Sequence, residues 1–419
     1  MILRRLATAF LLCMAALSRT EAQQAVTATS APVPGSEITV TLVTFGLGHE
    51  VFERFGHNAL MFQDARTLEA VAYHWGLFSF GEPGFLLRFL TGDTKYWMGG
   101  VDGQALIDSE RRAGRPITLQ RLNLTPAQAL ALRDYVRWNA LDENKFYRYD
   151  YYRDNCSTRL RDALDRVIGG AIKRRTAPVV TDLSYRRETV RLLDGMKPVQ
   201  LGTDVALGRP ADAPLTQWES FFIPMRLRDA IRDVKIVGAD GALVPLVAQE
   251  STVPLPPTPP SVQELTSVPE LKWRYGALGL ALAAVVVFLR IMMVSRRSAA
   301  WGLALFGIVW SLLGGLIGVI LLLAWFATQH VFWAYNENLF LLSPLALLLV
   351  VLMPAALLRG KAERATRMIA ALVAGLGLIA LVLSLIPGGE ENGALVALVL
   401  PVHLALAWAL ALPRGNATT

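Results

Sequence analysis

The sequence predicts an α+β domain placed outside the cytoplasm, followed by an all-α domain of five membrane-spanning helices. Three observations carry this expectation. The first 22 residues hold Arg4 and Arg5, an apolar run from Leu6 to Leu17 and a Thr20-x-Ala22 end, the three parts of a secretory signal. From residue 37 to about 235, β-branched runs and amphipathic stripes alternate as strands and helices do. Beyond residue 273, five apolar segments reach the roughly 20 residues a span needs. Composition agrees: 53% of the 419 residues are hydrophobic, and they crowd into the last third.

After the signal, residues 23–36 are rich in Pro, Ala and Thr without apolar period and read as a flexible linker. Ile38 to Phe45 reads as the first strand. Phe55-Gly56-His57-Asn58-Ala59-Leu60-Met61-Phe62 sets His57 at the head of a second, buried one. In Val71 to Phe78, period two puts Ala72, His74 and Gly76 on one face and Tyr73 and Trp75 on the other. Phe85 to Leu90 is an aromatic-rich helix or loop that walls a cleft or belongs to the core. Thr125 and Pro126 supply the N-cap and first position of a helix ending near Ala140.

The domain is organised around Tyr149 to Asp162. From Cys156 the apolar positions fall at Leu160, Leu164, Val167 and Ile168, the stripe of an amphipathic helix that stops at Gly169-Gly170. Asn155 or Asp154 is its N-cap, so Cys156 lies in the first turn, where unpaired N–H groups and the helix dipole favour a thiolate. The other cysteine, Cys13, falls in the signal and follows Leu12, where lipidation needs a small residue. Cys156 is then a lone thiol in an oxidising compartment, which flags reactivity over the alternative of a small buried hydrophobe.

Lys173 to Arg191 is strongly basic, either a solvated face or a surface against anionic lipid headgroups, in a chain of net charge +7. Residues 236–272 carry small strands and the Pro254–Pro260 spacer. The spans are expected at 273–294, 301–326, 337–358, 367–387 and 394–412, with 413–419 as a cytoplasmic tail. Arg290, Arg296 and Arg297 follow the first, Arg359, Lys361, Arg364 and Arg367 the third, and Arg414 the fifth, while the alternate loops carry no Lys or Arg. Positive-inside orientation then places the front domain in the periplasm of an inner-membrane protein. An interfacial aromatic belt explains Trp333 and Tyr335 in the first outward loop but not His330, Asn336, Glu337 and Asn338. If the front domain acts on lipids, that loop is expected beneath its cleft, with His330, Asn336 and Asn338 contacting substrate; the alternative is a solvated connection between spans. No phosphate loop, metal-ligand spacing or nucleic-acid motif occurs, so no cofactor, metal or nucleic-acid partner is expected, and oligomeric state is unknown.

A histidine on an early strand, a polar group on the next and an Asn-Cys pair opening a later helix resembles the circularly permuted papain-like proteins, including lecithin retinol acyltransferase and NlpC-related proteins. Phe55-Gly56-His57-Asn58-Ala59-Leu60, Tyr73-x-Trp75-Gly76-x-Phe78 and Asn155-Cys156-Ser157-Thr158 resemble more closely the periplasmic domain of the Lnb-type lipoprotein N-acyltransferases, and Asn336-x-Asn338-Leu339 resembles their membrane tail. His74 departs from the family's pattern and is the candidate third group by residue type; the resemblance implies a Cys156 nucleophile and a His57 base, with Asn155, Tyr73, Trp75 and Tyr152 near substrate. It implies transfer of an acyl chain from a phospholipid, through a Cys156 thioester, to the amino-terminal diacylglyceryl-cysteine of a lipoprotein. The rival readings are a cysteine peptidase or peptidoglycan amidase, and a non-catalytic lipoprotein-binding scaffold.

Overall fold

The computed structural model describes residues 33–267 and 270–412. The signal, most of the linker and the C-terminal tail lie outside the described residues. The last linker residues turn against a helix: Ser36 N–H donates to Val33 O (3.0 Å), and a Cβ on Gly35 would fall 2.2 Å from Pro126 O, which requires glycine there.

The front domain is built on one antiparallel sheet. Its strands are β1 (Ile38–Phe45), β2 (His57–Asp64), β3 (Ala70–Leu77), β4 (Lys95–Asp102), β5 (Ile117–Leu122), β6 (Phe146–Arg148) and, after a separate β7–β8 hairpin (Lys235–Val237, Leu243–Pro245), β9 (Val247–Thr252). Their order is β6-β4-β3-β2-β1-β5-β9. Helix α1 (Phe85–Thr91) precedes β4, α2 (Gly103–Arg112) follows it, and α3 (Pro126–Asn139) and α4 (Cys156–Val167) flank β6. Period two holds on β3. Trp75 points into the main core with Leu60, Leu160 and Leu164, and its indole N–H donates to Asn139 Oδ1 (2.8 Å), satisfying the one polar atom it buries. Tyr73 packs against that same core, edge-on to Phe62.

Helices α5 (Ala171–Thr176), α6 (Tyr185–Leu192), α7 (Lys197–Ala206) and α8 (Pro224–Ile231) complete the domain. The basic stretch here is neither a solvated face nor a lipid-facing one along its length. Arg186 and Arg191 are buried, Arg191 paired with Glu188 (2.8 Å) and Glu264 (2.9 Å), and Arg187 reaches Glu391 of the membrane domain (2.8 Å). A buried guanidinium needs partners, and these come both from one turn away, as Glu188 does, and from distant segments, as Glu264 and Glu391 do.

Among the described residues four helices are long and apolar enough to cross a membrane: α9 (Lys272–Met292), α10 (Arg297–Ala327), α12 (Glu363–Leu385) and α13 (Gly393–Ala411). The expected third span is not one continuous helix. Short 3-10 turns at Glu337–Phe340 and Pro344–Ala346 precede α11 (Leu347–Arg359), and the element bends by 46°. Pro344 cannot extend the preceding turn, and Ser343 caps the new start by accepting from Leu345 N–H. Glycine allows the bend to sit directly on α10: a Cβ on Gly318 would lie 1.7 Å from Leu342 O.

The two domains interlock through the first outward loop. Phe332 is fully buried in an aromatic cluster of the sheet domain, its ring centroid 4.8 Å from that of Tyr152 and 4.9 Å from that of Tyr185. Gly208 N–H donates to Phe332 O (2.8 Å), and Gln329 N–H to Thr91 O (2.8 Å).

Candidate functional site

Cys156 opens α4 because Asn155 caps it. Asn155 Oδ1 accepts from Ser157 N–H (2.9 Å) and Thr158 N–H (3.0 Å), Thr158 Oγ1 accepts from Asn155 N–H (2.8 Å), and the Asn155 amide donates to Tyr151 O and Phe222 O. Asn155 borders the cavity, but its polar atoms are all engaged in holding the helix start. With two first-turn donors taken by Asn155, Cys156 N–H remains.

β2 and β3 bring the two histidines together. His57 Nε2 and His74 Nδ1 lie 2.9 Å apart in a hydrogen bond, which leaves Nδ1 as the His57 nitrogen outside this pair. Their rings are perpendicular, and Phe45 stacks beside His57. Gly76, at φ +87°, opens β3 where the cysteine approaches: a Cβ there would touch Cys156 Cβ at 3.4 Å.

Cys156, His57 and His74 line one mainly apolar cavity of about 990 Å³, at the upper end of the roughly 300–1,000 Å³ typical of ligand pockets. Among the described residues no hydrogen bond joins His57 to the sulfur; catalytic contacts of this kind often tighten only with substrate. The backbone N–H groups of Ser157 and Asn58 and the charge of Arg115 favour the thiolate, yet burial outweighs them and pushes the Cys156 thiol up to about 11. This corrects the expectation of a preformed thiolate: dipole and first-turn donors are present, but desolvation is larger. His57 is held well below the ordinary histidine value by burial, then by His74 and Arg115, and burial takes His74 down to about 4. The resting group is therefore a neutral thiol beside two neutral imidazoles.

The remaining expected site residues divide. Tyr152 and His330 line the cavity, the Tyr152 hydroxyl bonded to Thr189 Oγ1 (2.6 Å) and His330 Nε2 to Phe89 O (3.0 Å). Tyr73 and Trp75 are not among the lining residues and belong to the opposite face of β3. Asn336 and Asn338 are also away from it. Their amides donate to Val205 O (3.0 and 3.1 Å), Asn338 also reaches Glu390 Oε1 (2.7 Å), and both are buried in the joint between domains. The outward loop does reach the cavity, through Gln329, His330, Val331 and Trp333.

Sequence reasoning missed Arg115 and Asn58. Arg115 is buried at the cavity, donating to Gly46 O (3.1 and 3.0 Å) and Glu110 (2.8 Å), and nothing local in Gly114-Arg115-Pro116 marks it. Asn58 donates to Ser157 Oγ (3.2 Å), tying the head of β2 to the first turn of α4. Its place beside His57 in a run of apolar residues was the available signal.

Stability should follow the buried histidines. The folded value of His74, about 4, lies below its unfolded value, so its contribution is complete above pH 6.5 and is lost as pH falls toward 4. Thermal unfolding followed from pH 7 to 4 should therefore show a shallower acid loss in His74→Asn than in wild type. Equal slopes would remove His74 from that window.

The fold and site define a membrane protein whose sheet-rich front domain carries a buried cysteine and histidine pair in a cavity facing the membrane domain. Two family models match the chain, the Lnb N-terminal periplasmic domain over residues 26–193 and the Lnb transmembrane domain over residues 277–412. The chain belongs to the Lnb family, membrane proteins with a periplasmic domain. No curated protein and no solved structure matches it.

Proposed function

We propose that the protein is a thiol acyltransferase of the bacterial inner membrane that N-acylates the amino-terminal diacylglyceryl-cysteine of lipoproteins. The observation that carries this reading is the shared cavity, which sets a first-turn cysteine and a hydrogen-bonded histidine pair in an apolar space bordered by the outward loop of the membrane domain. The front domain is read as a circularly permuted papain-like fold, since His57 and His74 on successive strands precede Cys156 on a later helix.

In this mechanism His57 takes the thiol proton as Cys156 Sγ attacks the ester carbonyl of a phospholipid, and Cys156 N–H donates to the oxyanion. The ester C–O bond breaks, His57 returns the proton to the leaving alkoxide, and a lysophospholipid departs. The neutral α-amine then attacks the thioester; its proton passes through His57 to the departing thiolate, and an amide is formed. His74 holds the His57 ring in place through the Nε2 contact. The apolar walls, with Tyr96 stacked on Tyr149 at 4.2 Å between centroids, suit an acyl chain better than a peptide or glycan, which argues against the peptidase and amidase reading.

The test is intact mass of the full-length protein incubated with phospholipid and no acceptor. A hydroxylamine-labile fatty-acyl adduct on the Cys156 peptide, discharged by a diacylglyceryl peptide, is expected. Absence of any adduct together with full lipoprotein N-acylation by Cys156→Ala would overturn the proposal.

A further inference from the structure

We infer that the segment from Phe78 to Gly92 is a second membrane contact, its outer face immersed in the extracytoplasmic leaflet and its inner face forming the entrance by which a lipid acyl chain reaches the cavity. The entry of a chain rests on the acyl-transfer reading; the membrane contact does not.

Exposure is the first observation. Phe80 is 70% exposed, Leu86 and Leu87 each 67% and Leu90 51%, a contiguous apolar run that a water-facing surface would not keep. The second is charge. Glu82 and Arg88 are the only ionic side chains between Phe78 and Gly92, and they pair with each other at 2.7 Å, while Arg88 also donates to Pro83 O (2.8 Å). Their charges cancel within the segment, which lowers the cost of bringing it against hydrocarbon.

Continuity with the membrane domain identifies the occupant. Helix α10 ends at Ala327, and two residues later Gln329 N–H donates to Thr91 O at the end of α1. His330 Nε2 bonds Phe89 O, and a Cβ on Gly92 would fall 3.0 Å from the Gln329 carbonyl carbon. α1 is thereby fixed where α10 leaves the bilayer, at the depth of an interfacial helix. The two faces of α1 then do different things. Phe85 and Phe89, one turn apart and stacked, line the cavity, whereas Leu87 and Leu90 are not among its lining residues and point away from it. A chain leaving the leaflet beside Leu86 meets Phe85 and Phe89 before it reaches Cys156, without crossing water.

The experiment uses the full chain with Cys13→Ser and Cys156→Ser, reconstituted in vesicles of phosphatidylethanolamine and phosphatidylglycerol. Nitroxide labels are placed at Leu87→Cys or, for comparison, at Thr67→Cys in the exposed β2–β3 turn. Relaxation of the Leu87 label by oxygen over an aqueous nickel chelate should exceed that at Thr67 by about tenfold. Equal chelate accessibility at the two positions would overturn the membrane contact, whatever the enzyme assay shows. A phospholipid with a diazirine at its acyl terminus tests the entrance in the same protein. Crosslinks on the Phe85–Phe89 peptide support it, and crosslinks confined to the membrane helices overturn it.

Discussion

Replacing His57 with alanine is expected to slow acyl transfer by about 10³- to 10⁴-fold while leaving the protein assembled in the membrane. The magnitude follows from the sulfur. Burial pushes the Cys156 thiol up to about 11, so at pH 7 only about one molecule in 10⁴ carries a thiolate unaided. In the proposed mechanism wild type does not depend on that fraction, because a neutral imidazole, held low by burial, accepts the proton during attack rather than before it. The variant should reveal the bare thiol: its rate should climb about tenfold per pH unit toward pH 11, where wild type is flat above neutrality. His57→Ala also loses the ring contacts with Phe45 and His74, so lipoprotein acylation assayed from pH 6 to 10, with membrane levels checked, separates a lost base from a lost fold. A His57→Ala enzyme with wild-type rate and a flat profile would show that another group takes the proton.

A base at His57 was expected from the sequence, but that the Cys156 thiol would rest protonated was not legible there, because burial is not. The stripe beginning at Cys156 marked the helix and its start correctly and narrowed the N-cap to Asn155 or Asp154, of which Asn155 caps, and period two placed His74 with Gly76 and opposite Trp75. Such local features depend on residues a few positions apart. β4 and β5 escaped because Gly99-Gly100 breaks the apolar alternation of one and Gln120-Arg121 hides the buried side of the other; Gln120 is fully buried, its amide answered by Arg228 O and Glu250. The broken span escaped for the converse reason, since hydropathy measures composition and Leu339 to Leu358 is apolar but for Ser343, whatever path it takes. Asn336 and Asn338 were recognised as more than interfacial polarity, yet their partners, Val205 and Glu390, stand over 130 and over 50 positions away. Spacing carries no information at that range.

Those distant partners converge on Arg186, whose replacement by leucine is expected to cost about 3–5 kcal/mol and to separate the two domains. Arg186 Nε meets Asp212 Oδ1 at 2.7 Å, Nη1 meets Asp204 Oδ1 at 2.9 Å and Nη2 meets Glu390 Oε1 at 3.1 Å, all nearly out of solvent. Burial opposes the Arg186 charge, but the three carboxylates outweigh it. Glu390 also accepts from Glu337 N–H and the Asn338 amide, so the guanidinium ties α6 and α7 to both outward loops. Without it, three acidic groups remain buried with no cation. Burial raises Glu390 to about 8 even though Arg186 opposes it, so in Arg186→Leu it should keep its proton to still higher pH and the joint, without its cation, should loosen. Loosening would withdraw Phe332 from its aromatic socket and His330 from the cavity, so acyl transfer should fall although Cys156 and His57 are untouched. Glu390→Gln keeps an acceptor for Asn338 and replaces a carboxyl that burial already keeps largely protonated at neutral pH, so it should be much milder. Limited proteolysis of the outward loops and the unfolding midpoint of both variants decide the matter. An Arg186→Leu protein as protease-resistant and as heat-stable as wild type would mean that the aromatic socket alone holds the sheet domain on the membrane helices.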